Sequence, residues 1–283
     1  MNNESEQTVF SRRNVLAAAA LAPAALSIAA ASNAQAQQAQ TTAKVAVITG
    51  SSRGIGAATA RRLAKDGYRV AVNCRVKRDL AAAVVREIEA EGGVAIWEQA
   101  DIRDPAAVRR LFDVTERELG KIDVAIANAG VMQLARFENM SDEDFDLMVD
   151  TNVKGSFYTL REAAKRVKEG GRIITTSSSI VQLRTPTYGP YAATKGSMEI
   201  YANILAKELA GRKISVNAIA PGLVATSLFL DGKTDEQVAG FAKRTPHGRI
   251  GEPADIAETI AYLCGPGGWW VNGQTIYSNG GVV

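Results

Sequence analysis

The hydrophobic positions from residue 44 onward alternate between short β-branched runs and longer amphipathic runs. The short runs predict buried strands at residues 45–49, 68–73, 94–97, 122–127, 173–176, 213–219 and 274–277. The amphipathic runs predict helices at residues 55–66, 79–91, 105–120, 141–169 with a break near 152–155, 191–210, 234–243 and 253–263. Because strands and helices alternate, we predict an α/β fold with about seven parallel strands and helices on both faces.

The first 43 residues do not share this pattern. Arg12 and Arg13 form a twin-arginine pair before an apolar run at 17–31, which is shorter than the roughly 20 residues that span a bilayer. Ala34 and Ala36 occupy the small-residue positions of a cleavage site. We predict a twin-arginine signal peptide at 1–36, recognised by the twin-arginine translocation machinery, then a linker at 37–43.

The leader predicts a periplasmic mature protein without stable membrane insertion. A poorly cleaved anchor or a non-functional leader remains the alternative, and a non-functional leader would leave the protein in the cytoplasm. The catalytic domain is predicted at 44–283 in either case.

Composition narrows the function. Hydrophobic residues make up 46% of the chain, which allows one sizeable core, and a net charge of +3 gives no reason to expect a nucleic-acid partner. The single His247 without a cysteine cluster argues against a metal site. The sequence alone leaves undecided whether Cys74 and Cys264 form a disulfide.

A glycine-rich turn follows the first predicted strand and opens the first helix. Gly50, Gly54 and Gly56 have the order Gly-x-x-x-Gly-x-Gly, with Ser52, Arg53 and Ile55 between them. Such glycines permit a tight turn, a close approach of the backbone to a pyrophosphate, and close packing of the helix on the sheet. The pattern indicates a Rossmann domain that binds a dinucleotide, with an ordinary tight turn as the alternative.

The end of the second strand bears on which dinucleotide is bound. Asn73 and Cys74 are followed by Arg75, and no carboxylate occurs there before Asp79. A carboxylate at this place would favour NAD(H), whereas Arg53 and Arg75 together could grip a 2′-phosphate. We therefore predict NADP(H). The alternative is that both arginines are solvated surface cations.

A tyrosine and a lysine lie one helical turn apart near the start of the helix after Pro190. Tyr191 and Lys195 share a helix face, and Ser178 follows the strand at 173–176. A phenol with an ordinary pKa of about 10 needs help to exchange protons at neutral pH, and a nearby ammonium should lower that pKa. Taken alone, such a pair is more often an ordinary surface pair.

Together, the motifs resemble those of the short-chain dehydrogenase/reductase family, in its shorter single-domain branch. The resemblance covers residue 44 to the C-terminus. It is carried by the glycine turn after Thr49, Asp101, Asn128-Ala129-Gly130, Asn152, Ser178, Tyr191-x-x-x-Lys195 and Pro221-Gly222. Two departures are Ala127, where asparagine is frequent, and Glu169, where relatives acting on acyl carrier protein often carry a basic residue.

The resemblance implies four catalytic residues. Tyr191 would be the acid/base, Lys195 would lower its pKa and bind the nicotinamide ribose, Ser178 would orient a carbonyl, and Asn152 would hold a water. Further cofactor contacts are implied for Asp101 and Ile102 at the adenine, Asn128, Ala129 and Gly130 at the adenine ribose, and Pro221, Gly222, Val224 and Thr226 at the nicotinamide. It also implies a homotetramer.

The expected function is hydride transfer between NADP(H) and a carbonyl or alcohol, as in a 3-oxoacyl-type or general ketone reductase. Two alternatives remain: a catalytically idle redox sensor that binds NADP, and a dehydratase or epimerase with the same residues. A largely apolar substrate pocket is expected from Met132, Gln133, Ile180, Gln182, Tyr188 and the segment 223–244, which includes Leu228, Phe229, Leu230 and Phe241.

Overall fold

The computed structural model describes residues 43–283, so the predicted signal peptide and its cleavage site lie outside the described part. Within it, the central strand β1 (Val45–Ile48) is buried at every position. Val45 and Val47 join one apolar cluster, whereas Ala46 and Ile48 join a second one. The strand is a continuous apolar run because both of its faces are covered.

Seven parallel strands form one sheet in the order β3-β2-β1-β4-β5-β6-β7. The remaining strands are β2 (Arg69–Cys74), β3 (Val94–Gln99), β4 (Val124–Ala127), β5 (Arg172–Thr176), β6 (Ser215–Pro221) and β7 (Thr275–Ser278). The predicted fold class is confirmed. The order reverses between β1 and β4, and in open α/β sheets ligands bind at such a point.

Two layers of helices cover the sheet. The helices are α1 (Gly54–Lys65), α2 (Arg78–Ala90), α3 (Pro105–Leu119), α4 (Asp142–Met148), α5 (Ser156–Arg166), α6 (Ile180–Leu183), α7 (Gly189–Glu208), α8 (Ser227–Leu230), α9 (Asp235–Ala242) and α10 (Pro253–Cys264). Apolar residues of α1, α2 and α10 belong to one cluster, and those of α3, α5 and α7 to the other. The doubly wound arrangement follows directly from this division.

Local signals fixed several helix ends. The Asp104 side chain accepts a hydrogen bond from the Ala106 amide at 2.8 Å, with Pro105 in the first turn. Ser141 caps α4 by accepting from the Asp144 amide at 3.1 Å. Both caps agree with the sequence prediction.

The long helical region after Ser141 differs from the prediction in one respect. Instead of a break near 152–155, a π-helical segment Val149–Gly155 joins α4 to α5 without an interruption. The wider turn inserts extra residues into a continuous helix, a feature often found at functional sites. The four-residue helices α6 and α8 were not predicted either, because a single turn shows no helical periodicity.

The structure of residues 43–283 also bears on disulfides, membrane-spanning helices and metal clusters in that part of the chain. Cys74 and Cys264 are both buried and form no disulfide. No helix in this part of the chain is long and apolar enough to cross a bilayer. Nor do three or more His, Cys, Asp or Glu side chains come together in a metal-binding cluster there.

Candidate active site

A cavity of about 500 Å³ opens at the carboxyl ends of the central strands. Nineteen of the twenty predicted site residues line it, namely Gly50, Ser52, Arg53, Gly54, Ile55, Gly56, Arg75, Asp101, Ile102, Asn128, Ala129, Gly130, Ser178, Tyr191, Lys195, Pro221, Gly222, Val224 and Thr226. The exception is Asn152, which lies behind the wall. The fold thus brings residues from all parts of the domain to one site.

The glycine turn has the geometry of a phosphate cradle. Gly50 and Gly54 have positive φ angles of 63° and 57°, which side chains rarely adopt. A Cβ on Gly56 would lie 2.6 Å from the carbonyl oxygen of Gly50. The turn therefore depends on these glycines and exposes backbone close to the start of α1, where an anion is favoured.

Two polar residues that the sequence analysis did not single out hold this turn. The Asn73 side-chain oxygen accepts from the Gly50 amide at 3.0 Å, and the Ser51 hydroxyl accepts from the Asn73 amide at 2.9 Å. Ser51 also donates to the carbonyl oxygen of Ile48 at 2.7 Å. The available signal was a buried polar residue, Asn73, at the end of an otherwise apolar strand.

Asn128 braces the same region from β4. Its side-chain nitrogen donates to the carbonyl oxygens of Thr49 and Gly50 at 3.0 and 3.1 Å. The Thr49 hydroxyl accepts in return from the Asn128 amide at 3.1 Å. Asn128 therefore ties the ends of two strands together, and its contact with a ribose stays a prediction.

The charges at one end of the cavity suit a phosphate. Arg53 and Arg75 are exposed in its wall, and neither pairs with a carboxylate anywhere in the described range. Asp101, by contrast, pairs with Arg103 at 2.6 Å, and this hydrogen bond lowers the pKa of Asp101. Two unpaired guanidinium groups remain, and guanidinium binds phosphate in two-pronged fashion.

Tyr191 is buried, and burial raises its pKa above the usual value of a phenol. A hydrogen bond from the Ser178 side chain acts in the opposite direction but is the smaller effect. In the protein alone the pKa of Tyr191 is therefore raised, because burial is the larger effect; that Lys195 lowers it in the complex with cofactor stays a prediction. The Lys195 ammonium lies 5.9 Å from the centre of the Tyr191 ring and donates to the carbonyl oxygen of Thr176 instead.

The pKa of the Lys195 ammonium is also shifted from its ordinary value. Burial lowers its pKa to about 8, because the ammonium loses its water. Its hydrogen bond to the carbonyl oxygen of Thr176, at 2.9 Å, offsets this loss only in part. A Cβ on Gly130 would lie 3.2 Å from the ammonium nitrogen. Gly130 thus leaves room beside Lys195 in the cavity wall.

Asn152 sits in the π-helical segment and is almost fully buried. Its side chain accepts from the Val131 amide and donates to the Val131 carbonyl oxygen, both at 2.8 Å, and also donates to the Thr194 hydroxyl at 3.0 Å. The residue therefore fixes the segment after β4 against α7. Its implied contact with a water stays a prediction.

The substrate end of the cavity was predicted in part. Met132, Ile180, Tyr188, Leu228, Phe229 and Phe241 line it as expected. Gln182 and Leu230 do not line it, because the short helices α6 and α8 turn these positions elsewhere. Gln133 does not line it either; its amide donates to the sulfur of Met148 at 3.4 Å. Leu183 and the residues 185–187 contribute instead, and they were missed because α6 was read as a loop.

Replacing Lys195 by methionine is expected to stabilise the protein at neutral pH. The folded pKa of about 8 lies below the ordinary lysine value, so the buried charge destabilises the fold fully below pH 8. This cost fades as pH rises from 8 toward 10.5, the ordinary pKa of a lysine side chain. Lys195→Met should raise the free energy of unfolding by up to about 3 kcal/mol at pH 7 and by much less near pH 10.

The measurement is urea denaturation of both proteins at the two pH values. Lys207→Met, which removes an exposed lysine of the same helix, is the matched control and should change little at either pH. A Lys195→Met protein that is less stable than wild type at pH 7 would contradict the assigned burial cost.

Comparison with known proteins places this site in a family. A family model described as enoyl-(acyl carrier protein) reductase matches residues 50–283. An NADPH-dependent aldehyde reductase-like protein of Arabidopsis thaliana is 41% identical over 255 residues, which cover 85% of this chain and 94% of the relative. Versicolorin reductase of Emericella nidulans is 37% identical over 251 residues, covering 84% and 95%.

A solved structure gives the same result. The short-chain dehydrogenase of Burkholderia cenocepacia in complex with NADP is 35% identical, with a TM-score of 0.80, covering 84% of this chain and 97% of that one. The fold and the site define a Rossmann-type oxidoreductase. The chain belongs to the short-chain dehydrogenase/reductase family.

Proposed function

We propose that this protein is an NADPH-dependent reductase of ketones or aldehydes. The observation that carries the proposal is the meeting of Ser178, Tyr191 and Lys195 in the cavity that also contains the glycine cradle. The relatives agree: one is named an NADPH-dependent aldehyde reductase-like protein, another a versicolorin reductase, and one structural neighbour contains NADP.

The chain offers a place for each part of the cofactor. The turn at Gly50 and Gly54 would hold the pyrophosphate, and Arg53 with Arg75 would hold the 2′-phosphate. Lys195 would bind the nicotinamide ribose, with Pro221 and Thr226 at the nicotinamide. When bound, NADPH supplies a hydride for the carbonyl carbon.

The side chains of the protein then protonate and hydrogen-bond the carbonyl oxygen of the substrate. Tyr191 gives its phenolic proton to the carbonyl oxygen as the C–O double bond becomes single, and the product is an alcohol. Ser178, which lines the same cavity as Tyr191, donates to the same oxygen while negative charge grows on it. The ammonium of Lys195 favours the phenolate that remains.

The raised pKa of Tyr191 favours this direction. A phenol that stays protonated at neutral pH is ready to give a proton, whereas alcohol oxidation requires a phenolate. Tyr191 is therefore ready to give its proton in the reductive reaction at neutral pH, while the concentrations of cofactor and substrate set the net direction.

The two alternatives make different demands. An idle NADP-binding sensor has no need for a buried tyrosine and lysine aimed into the cavity. A dehydratase or epimerase would convert its substrate with no net NADPH consumption.

Incubation with a panel of ketones, aldehydes and alcohols, with NADPH or NADH, tests the proposal. Equal amounts of NADPH lost and alcohol formed are expected. No turnover of any carbonyl, or conversion without NADPH loss, would speak against it.

We also propose a homotetramer. Apolar side chains are exposed on the two long helices, Phe157 on α5 and Ile200 with Ile204 on α7. Trp269 and Trp270 near the C-terminus are exposed as well, Trp270 to 91%. Such surfaces are typical of subunit contacts.

Light scattering at micromolar protein is expected to give the mass of four subunits. Ile200→Glu combined with Ile204→Glu should reduce that mass, because two charges would face the same apolar patch. A monomeric mass for the wild type would contradict the assembly.

We further propose export by the twin-arginine route, supported by Arg12, Arg13 and the small residues before Gln37. This route carries folded proteins, so the cofactor can be bound in the cytoplasm and stabilise the fold by mass action. Cell fractionation should place the product in the periplasm with Gln37 at its N-terminus. Replacing Arg12 and Arg13 by lysine should retain it in the cytoplasm. A cytoplasmic wild-type product with residues 1–36 intact would refute export.

A further inference from the structure

The cavity has an unassigned cation at its substrate end. Arg244 follows helix α9 and lines the cavity together with Tyr188, Phe229 and Phe241. Aspartate and glutamate are absent from the wall at this end, and Asp101, at the opposite end, is the one acidic residue in the whole lining. Apart from Lys195 at the reacting end, the positive charge in the substrate half of the site comes from Arg244.

Arg244 is held in place by its surroundings. Its amide donates to the carbonyl oxygen of Phe241 at 3.0 Å, and its guanidinium carbon lies 5.9 Å from the centre of the Phe241 ring. The next residue, Thr245, is 4% exposed, with its hydroxyl 2.6 Å from the carbonyl oxygen of Arg249. The backbone is thus anchored where the side chain reaches the cavity.

The guanidinium group has no carboxylate partner within residues 43–283. Lys233, which does not line the cavity, is engaged by Phe229: its ammonium lies 4.6 Å from the centre of the Phe229 ring and donates to the Phe229 carbonyl oxygen at 2.5 Å. An unpaired arginine beside an apolar pocket leaves up to five donors for a ligand.

A chain of aromatic rings connects Arg244 to the reacting end. The rings of Tyr191 and Tyr188 meet edge to face with centres 6.5 Å apart. Tyr188 and Arg244 both line the cavity, and the positive charge of Arg244 acts against the rise in the pKa of Tyr188 that burial causes. Tyr188 therefore lies between Tyr191, the proposed proton donor, and the substrate end of the cavity that Arg244 lines.

We infer that Arg244 selects carbonyl substrates that carry a carboxylate on the far side of an apolar, ring-sized body. The carbonyl would lie at Ser178 and Tyr191, the apolar body against Tyr188, Phe229 and Phe241, and the carboxylate on the Arg244 guanidinium. This inference rests on the proposed reductase function for the placement of the carbonyl. Beyond that function, it specifies that the substrate carries a negative charge, which hydride transfer to a carbonyl does not require.

Two probes of nearly equal shape test the inference: 4-acetylbenzoate and its methyl ester, which differ in one negative charge. Binding of each to the protein loaded with NADP⁺ is measured by calorimetry, and reduction of each with NADPH is measured separately. Wild type should bind the carboxylate about tenfold more tightly than the ester and show a similar preference in kcat/KM.

Arg244→Gln should bring the ratio of the two probes close to one. Lys243→Gln removes the neighbouring exposed cation, which does not line the cavity, and should keep the wild-type ratio. Equal binding of both probes to wild type, or an unchanged ratio in Arg244→Gln, would overturn the inference. So would an Arg244→Gln protein whose only defect is a higher KM for NADPH, because the arginine would then serve the cofactor.

Binding and turnover separate the two levels of the proposal. If the carboxylate binds with the expected preference but neither probe is reduced, the assignment of Arg244 stands and the reductase function fails for these compounds. If both probes are reduced at equal rates and bind equally, the reductase function stands and the role of Arg244 is refuted.

Discussion

Tyr191→Phe is expected to lower kcat for carbonyl reduction by about a thousandfold or more, with the dissociation constant for NADPH changed little. The ring keeps its buried place and its edge-to-face contact with Tyr188, and the variant loses only the hydroxyl. General acid catalysis contributes about 10²–10⁴ in rate, and Tyr191 is the one buried hydroxyl beside Ser178 assigned to this task.

Steady-state kinetics and fluorescence titration with NADPH measure the two effects. Tyr201→Phe, which removes a hydroxyl from the same helix outside the cavity, is the matched control and should keep wild-type rates. A Tyr191→Phe protein with wild-type kcat would remove the assigned proton donor from the mechanism.

Arg53→Gln combined with Arg75→Gln is expected to lower kcat/KM for NADPH by roughly a hundredfold or more. Each guanidinium would make charge-assisted hydrogen bonds to the 2′-phosphate, each worth about 1.5–3 kcal/mol. NADH has no phosphate there, so kcat/KM for NADH should change little, and the preference between the two cofactors should shrink accordingly.

Kinetics with both cofactors at fixed carbonyl concentration give the ratio. Arg86→Gln on α2 removes an exposed arginine that does not line the cavity, and the NADPH preference should survive it. A wild-type enzyme that prefers NADH would contradict the cofactor assignment, as would a double variant that keeps the full NADPH preference.

The fold could be read from the sequence because its signals are local. Seven apolar runs bounded by glycine and proline gave the strands within a few residues, and Asp104 and Ser141 gave two helix starts through their caps. These signals depend on backbone geometry and burial that neighbouring residues specify. The π-helical segment around Asn152 was misread because its extra width depends on contacts with Val131 and Thr194, which are distant in sequence.

The residues of the site could be predicted from the sequence, whereas their pKa values could not. The glycine turn, Ser178, Tyr191 and Lys195 were found from spacing, since the carboxyl ends of parallel strands meet at one edge. The pKa values were not, because burial is the largest cause of the shift for both Tyr191 and Lys195, and burial depends on the packed fold. The braces Asn73 and Ser51 were missed for a similar reason: their partners are visible only once β1 and β2 are paired.

The most direct test of the reductase proposal is the fate of a hydride. NADPH deuterated at C4 on the transferred position is incubated with the enzyme and a ketone that it consumes, and the product is examined by mass spectrometry and NMR. We expect one deuterium on the carbinol carbon for each NADPH oxidised, and none of this transfer in Tyr191→Phe. A product formed without deuterium, or substrate conversion with the NADPH intact, would contradict it.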